Sequence, residues 1–255
     1  MKMSDPSHAN PANLDRVWIF ANPIAGKGKG QMIARQLEER LWDDGLKPRV
    51  FFQKATDIPP QDLAVAPRAA IVIGGDGTLR TVADRLLAQG VPPPLLPIGL
   101  GTANLMVRHL GLHWEDESFA EDVSKAIDKM HVRQLDAGRA NGKLFLLMVG
   151  VGFDAHVVHE LDRMRSGPIG WLNYLQPAAL ALQGYSFPPL RVELDGREVW
   201  PSAPGLAFVG NIKEYGTGFP VLPLARPDDE LLDLCVLPCR SPGELIQLFL
   251  QVIAE

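Results

Sequence analysis

Cysteine is nearly absent: the 255 residues contain two, Cys235 and Cys239. No second cysteine pair and no Cys/His cluster completes a set with them, which excludes a disulfide framework and a zinc site. A basic excess is missing too. The formal net charge is −5, the wrong sign for a nucleic-acid binder. No uninterrupted apolar run reaches the roughly 20 residues of a spanning helix. Ala178 to Leu182 is short and flanked by Gln176, Pro177 and Gln183. Residues 1–13 are polar and contain proline with no apolar centre, so they read as a flexible tail and not as a secretion signal. Neither an internal repeat nor a low-complexity segment is found. These absences predict a cytoplasmic protein with free thiols and no nucleic-acid partner, touching a membrane at most peripherally, from its inner surface.

What is present is a globular composition, 46% hydrophobic and 22% charged, sufficient to bury a core. Strands are expected at Val17–Phe20, Arg49–Phe52, Ala69–Ile73 and Leu95–Ile98. Helices are expected from about Gln31 to Asp44, from Thr78 to about Gln89, from the 104 region through Leu110, and from Ser118 to Met130. Strands and helices alternating at this pace predict a doubly wound, mostly parallel sheet over residues 14–130. After His131 the texture changes to strand candidates at Val132–Arg139, Leu144–Val149, Leu190–Leu194, Leu206–Val209 and Leu231–Leu237. Asn141-Gly142 and Asp195-Gly196 are hairpin turns. A helical insertion is expected over 170–184, where Trp171, Tyr174, Leu175, Leu180 and Leu182 read as core more than as a lipid-facing groove. Residues 131–255 are therefore expected to form a second, β-rich domain, and the cleft between domains is the expected substrate site.

The strongest chemical signal is Ile71-Val72-Ile73-Gly74-Gly75-Asp76-Gly77-Thr78-Leu79. An apolar strand runs through a glycine turn into a helix carrying Leu79, Val82, Leu86 and Leu87. Glycines let backbone N–H groups approach an anion, and a helix start adds partial positive charge. A carboxylate inside such a turn repels phosphate unless it holds a metal or takes a proton during phosphoryl transfer. Two further loops leave strand ends: Asn22-Pro23-Ile24-Ala25-Gly26-Lys27-Gly28-Lys29-Gly30 and Gly99-Leu100-Gly101-Thr102-Ala103-Asn104. The first is not a P-loop, since Gly30 is followed by Gln31 and not by Lys-[Ser/Thr]. All three are expected to converge outside the carboxyl ends of the strands. His156 and His159 lack a third ligand, and Asp154 reads as either a helix cap or a site residue.

In this order the loops resemble the diacylglycerol kinase catalytic-domain family, which includes bacterial lipid kinases, sphingosine kinases and ceramide kinases. Asn22-Pro23 with its Gly/Lys loop, Gly74 to Thr78 and Pro97 to Asn104 carry the likeness. Val149 to Ala155, Gly210-Asn211 and Pro223 to Asp233 extend it. The Gly-Gly-Asp-Gly-Thr element alone is shared with NAD kinases and 6-phosphofructokinase-like folds. The resemblance implies ATP-dependent transfer of a γ-phosphate to a lipid alcohol such as diacylglycerol. It implies nucleotide binding by Asn22, Gly74, Gly75, Asp76, Gly77, Thr78, Gly101, Thr102 and Asn104, with Asp76 catalytic. It also implies Mg²⁺ on Asp229 with the carbonyls of Arg226 and Leu231. Two departures stand out: Leu105 occupies a position often acidic in the family, and Glu230 replaces the glycine of its Asp-Gly. Chains of the family continue into an Asp-Gly-Glu segment that contributes a candidate base, so the β-rich domain is expected to be incomplete at its C-terminus. The alternatives are an NAD kinase-like small-molecule kinase and a non-catalytic nucleotide- or lipid-binding relative. The oligomeric state, a homodimer included, and the lipid itself are not legible.

Overall fold

The computed structural model of the chain describes residues 14–90, 92–114, 118–164, 182, 184–216 and 219–254. The expected tail over 1–13 and, apart from Leu182 and Gly184, the expected insertion over 170–184 lie outside the described residues. The chain divides into two compact units, Met1–Gln134 and Leu135–Glu255.

The first unit is built on β1 (Arg16–Ala21), β2 (Lys47–Phe51), β3 (Ala69–Gly74) and β4 (Leu95–Gly99), all parallel in the order β2-β1-β3-β4. The central strands β1 and β3 are almost continuously apolar and buried, as strands covered on both faces must be. α1 (Lys29–Asp43) turns Ala34, Leu37 and Leu41 into the core at helical spacing. α4 (Phe119–Lys129) adds Phe119, Val123 and Ile127 to the same cluster as Ile19, Ile71 and Ile73. The two helices are also tied by polar groups. The Ser124 hydroxyl (2.5 Å) and the Arg40 guanidinium (2.8 Å) both donate to the Asp44 carboxylate. Those bonds hold the Asp44 carboxyl below its ordinary range. On the other face of the sheet Trp18, Phe20 and Phe51 form an aromatic cluster. α2 (Asp76–Leu87) buries Leu79, Val82 and Leu86. α3 (Leu105–His109) is a short turn after β4.

The second unit is antiparallel. β5 (Gly138–Ala140) and β6 (Lys143–Phe145) form a hairpin through Asn141-Gly142. β7 (Met148–Val151) leads into α5 (Phe153–Met164). β8 (Pro189–Leu194) pairs with the first half of the long β9 (Arg197–Gly210) through the Asp195-Gly196 turn. After the short β10 (Glu214–Tyr215) and β11 (Phe219–Pro220) comes β12 (Asp233–Pro238), giving the order β12-β9-β7. α6 (Pro242–Ala254) follows. The architecture is thus an α/β unit with a four-strand parallel sheet and a C-terminal antiparallel β unit.

Two strand expectations are corrected. Val132–Arg139 is a strand only from Gly138, because residues 131–134 are exposed and have no strand partner among the described residues. Leu144–Val149 is two strands and not one. The chain changes sheet at Leu146-Leu147, where their carbonyls accept hydrogen bonds from Asn211 instead of from a strand: its backbone N–H to Leu147 (2.7 Å) and its side-chain amide to Leu146 (3.4 Å).

Candidate active site

The carboxyl ends of β1, β3 and β4 each open into a glycine-bearing loop, and backbone hydrogen bonds stitch the three loops together. The Asn22 N–H donates to the Ile73 carbonyl (3.0 Å), Leu100 N–H to Gly74 (2.9 Å) and Gly26 N–H to Leu100 (3.1 Å). The loops after β3 and β4 approach so closely that side chains are excluded. A Cβ at Gly101 would lie 2.7 Å from the Gly75 Cα, and one at Gly99 would lie 2.9 Å from the Asn104 amide carbon. In the first loop a Cβ at Gly30 would fall 2.3 Å from the Asn22 carbonyl oxygen. These glycines are required by packing.

Gly77 is different. A Cβ there would meet nothing within 4 Å, and its φ lies outside the left-handed region. Neither packing nor backbone strain demands a glycine, so the turn leaves open space over this residue. Neither α1 nor α2 receives a side-chain cap; the Lys29 N–H of α1 donates to the Ala25 and Gly26 carbonyls and the Thr78 N–H of α2 to the Gly75 carbonyl (2.9 Å), so the first two N–H groups of α2, those of Asp76 and Gly77, are the ones set toward an anion. Thr78 packs against Gly74, and Thr102 is exposed on the third loop. Lys27 and Lys29 are exposed on the first loop, Lys27 in the left-handed conformation at φ 58°.

Asp76 is already engaged. Its two carboxylate oxygens accept the N–H groups of Leu105 and Met106, both at 3.0 Å, so it caps the start of α3 and not its own helix. Each oxygen keeps a second lone pair for a proton or a cation. Leu105, which lacks the acid expected there, contributes its backbone N–H instead. Asn104 holds a left-handed conformation at φ 47° and closes its loop on itself: Oδ1 accepts from Gly101 N–H (2.7 Å) and Nδ2 donates to Gly101 O (2.9 Å). Asn22 likewise folds its own turn, accepting Ile24 N–H at 3.2 Å. The cavity lined by Gly74, Gly75, Asp76 and Asn104 measures about 10 Å³, room for a water-sized group only. A group the size of a triphosphate does not fit inside it; only the outer surface of the loops offers room for one.

In the second unit Asp229 Oδ1 accepts Leu231 N–H at 3.1 Å. Glu230 sits at φ 65°, the conformation a glycine would adopt without strain. The turn thus keeps the shape expected of an Asp-Gly, despite the substitution. Asp136, which sequence reasoning missed, holds it there. Its carboxylate accepts Glu230 N–H (2.7 Å), its own N–H donates to Pro227 O (2.6 Å), and its carbonyl accepts the Asn211 side-chain amide (2.5 Å). The Asn211 Oδ1 is buried without a partner among the described residues, an acceptor left for a water or a hard cation. No cluster of three or more His, Cys, Asp or Glu stands among the described residues. A site here would draw on at most two carboxylates, Asp229 and Asp136, with carbonyls and water, a hard-oxygen set that suits Mg²⁺.

Asp154 stands inside the first turn of α5, as its second residue. Its carboxylate is mostly buried and accepts the Tyr215 hydroxyl, and the space where a Gly150 side chain would stand is filled by it. Burial pushes its carboxyl above the ordinary range, while the Tyr215 bond opposes the shift. His156 packs its ring against Tyr185, consistent with a packing role.

Comparison with known proteins places this geometry. Residues 16–140 match the diacylglycerol kinase catalytic domain, and residues 147–254 match the YegS C-terminal NAD kinase beta sandwich-like domain. A Pseudomonas syringae pv. tomato protein named "Probable lipid kinase YegS-like" is 33% identical over 187 residues, 72% of this chain and 58% of that protein. A "Diacylglycerol kinase" of Mycobacterium tuberculosis is 29% identical over 245 residues, 92% of this chain and 77% of the relative. The chain therefore spans between about half and three quarters of the length of these relatives. The crystal structure of a diacylglycerol kinase from Bacillus anthracis str. Sterne superposes with a TM-score of 0.67 at 29% identity, covering 94% of this chain and 78% of that one.

Proposed function

The chain belongs to the diacylglycerol kinase catalytic-domain family, and from that premise we propose that it is a lipid kinase transferring the γ-phosphate of ATP to a lipid hydroxyl such as that of diacylglycerol. The observation that carries this reading is the stitched trio of glycine loops, with two helix starts that no side chain caps and open space over Gly77 that suits close approach of a phosphate. In the proposed reaction the lipid oxygen attacks the γ-phosphorus, the bond from that phosphorus to the bridging oxygen breaks, and ADP leaves. Such a transfer needs positioning and charge neutralisation more than covalent help. The N–H groups at the start of α2 and the loop from Gly101 to Asn104 would hold the phosphates, with Thr78, Thr102 and Asn22 at their edge. Asp76, fixed by two N–H groups, is the carboxylate assigned to receive the hydroxyl proton or to face the nucleotide-bound cation. Mg²⁺, when bound, would neutralise negative charge, and Asp229 with the Arg226 and Leu231 carbonyls would hold it as hard-oxygen ligands.

The lipid substrate implies peripheral membrane contact. Among the described residues no helix is long and apolar enough to cross a membrane. Leu224 and Leu231 are 83% and 64% exposed, and Leu232 is exposed beside them, which supports contact from the surface.

The test is transfer of radiolabelled γ-phosphate to a panel of lipids and to NAD. Label in a lipid supports the proposal. Label in NAD supports a small-molecule kinase instead, and nucleotide binding without transfer to any acceptor supports a non-catalytic relative.

A further inference from the structure

A second cavity lies at the opposite, amino-terminal edge of the parallel sheet. It measures about 250 Å³ and is lined by Arg16, Trp18, Lys47, Arg49, Gln61 and the acidic Asp62, with Val65 at its rim. The parallel register creates it. Arg16 stands beside Lys47 and Trp18 beside Arg49, so three cationic side chains are set on one face of two adjacent strands. Neighbouring strands are about 4.8 Å apart, and like charges side by side at that spacing repel. Two of the three are offset. Asp15 pairs with Lys47 at 2.5 Å, and Asp62 pairs with Arg49 at 2.8 Å. Arg49 is further fixed by donating to the Asp62 carbonyl (3.2 Å) and by lying 4.8 Å from the centre of the Phe51 ring. The Arg16 side chain has no ion pair of its own within 4 Å among the described residues, although the neighbouring Asp15 carboxylate, bound to Lys47, feels its charge. The pocket thus holds one guanidinium without a hydrogen-bonded ion pair, flanked by two cations each held by a carboxylate, beside the buried Trp18.

The geometry points to a second anion site here, one that takes the phosphate of a small phosphate monoester. Arg16 would supply bidentate hydrogen bonds, with Lys47 and Arg49 as flanking charge. Volume decides the size class. Pockets for drug-sized ligands begin at about 300 Å³, so a nucleotide or an acyl chain is too large, while a phosphorylated head group fits. The site is distinct from the glycine loops, because β1 runs from Arg16 to Ala21 and five residues of strand rise place the two ends about 17 Å apart. The phosphate could be presented by a soluble monoester or by phosphatidic acid at a bilayer surface; the chemistry recognised is the same. This inference stands apart from the kinase reading, and the absence of lipid phosphorylation would leave it untouched.

The test uses the full chain with saturating Mg²⁺ and ADP, titrated with sn-glycerol 3-phosphate or with phosphatidylcholine vesicles with and without phosphatidic acid. The readout is tryptophan fluorescence, with Trp18→Phe identifying the responding ring. A saturable response to the soluble monoester that weakens about tenfold or more in Arg16→Gln/Lys47→Gln supports the site and a soluble ligand. A response only to phosphatidic acid vesicles, lost in the same variant, supports the site and a lipid ligand. Arg16→Gln alone removes no ion pair of the described residues and keeps the experiment readable should the double variant lose stability. No saturable response to either probe, or an affinity unchanged in the Arg16→Gln variants, overturns the proposal.

Discussion

Gly77→Ala separates a structural glycine from one reserved for a ligand. The added methyl would stand at the second residue of α2 with nothing within 4 Å of it. No contact is lost and no left-handed strain is introduced, because φ at this position is not positive. Replacing glycine by alanine in a helix stabilises by about 0.5–1 kcal/mol, so the midpoint of urea unfolding should rise or hold. Nucleotide binding should move the other way. The methyl would occupy the space through which phosphate oxygens reach the first-turn N–H groups. Losing one or two such bonds to a charged group costs about 1.5–3 kcal/mol, roughly a ten- to hundredfold weaker Kd. The assay is calorimetric titration with ADP and Mg²⁺ beside urea unfolding of the same preparation. Gly101→Ala is the contrasting case: a Cβ there would lie 2.7 Å from the Gly75 Cα, so stability and binding should fall together. If Gly77→Ala bound ADP with native affinity, the assignment of the α2 start to the nucleotide phosphates would be refuted.

Three further outcomes are expected. Asp76→Asn keeps one acceptor oxygen and turns an amide NH₂ toward an N–H of α3, so it should cost about 1–3 kcal/mol of stability besides any loss of turnover; inactivity with unchanged urea midpoint would show that the carboxylate does not hold α3. Glu230→Gly relieves about 1–2 kcal/mol of left-handed strain at φ 65° against about 0.5–1 kcal/mol of added chain entropy, so thermal unfolding should shift slightly upward; a clear drop would mean that the Glu230 side chain contributes something the backbone does not reveal. Asp154 has a raised carboxyl, so the folded chain binds its proton more tightly than the unfolded chain does. Its contribution is full below the ordinary carboxylate pKa and is lost as pH rises from there through the elevated folded value. Asp154→Asn should therefore flatten that fall, and parallel stability–pH curves for the two proteins would contradict the burial argument.

The three glycine loops were legible because strand, turn and helix signals are local. Val17–Phe20 and Ala69–Ile73 are unbroken apolar runs, and a run of that kind ending in glycine has few alternatives in an α/β chain. The second unit was read less well. Val132–Arg139 has strand composition but pairs only from Gly138, the residues before it having no strand partner among the described residues, and Leu144–Val149 breaks where Asn211 takes over its carbonyls. Pairing partners lie far away in the chain, and no local pattern encodes them. Asp136 went unnoticed for the same reason, since its bond to Glu230 N–H spans 94 residues.

Which segments are strands and helices, which loops carry glycine, and which side chains have the chemistry for phosphate all follow from residue type and spacing, because propensity and periodicity act over a few residues. What those groups are free to do was decided in three dimensions. Folding commits both oxygens of Asp76 to the next helix, closes Asn104 on its own loop, leaves Gly77 facing open space, and sets Arg16 beside Lys47 at the far edge of the sheet. Hydrogen bonding, steric exclusion and charge repulsion depend on atoms brought together from distant parts of the chain, and only the packed sheet brings them there.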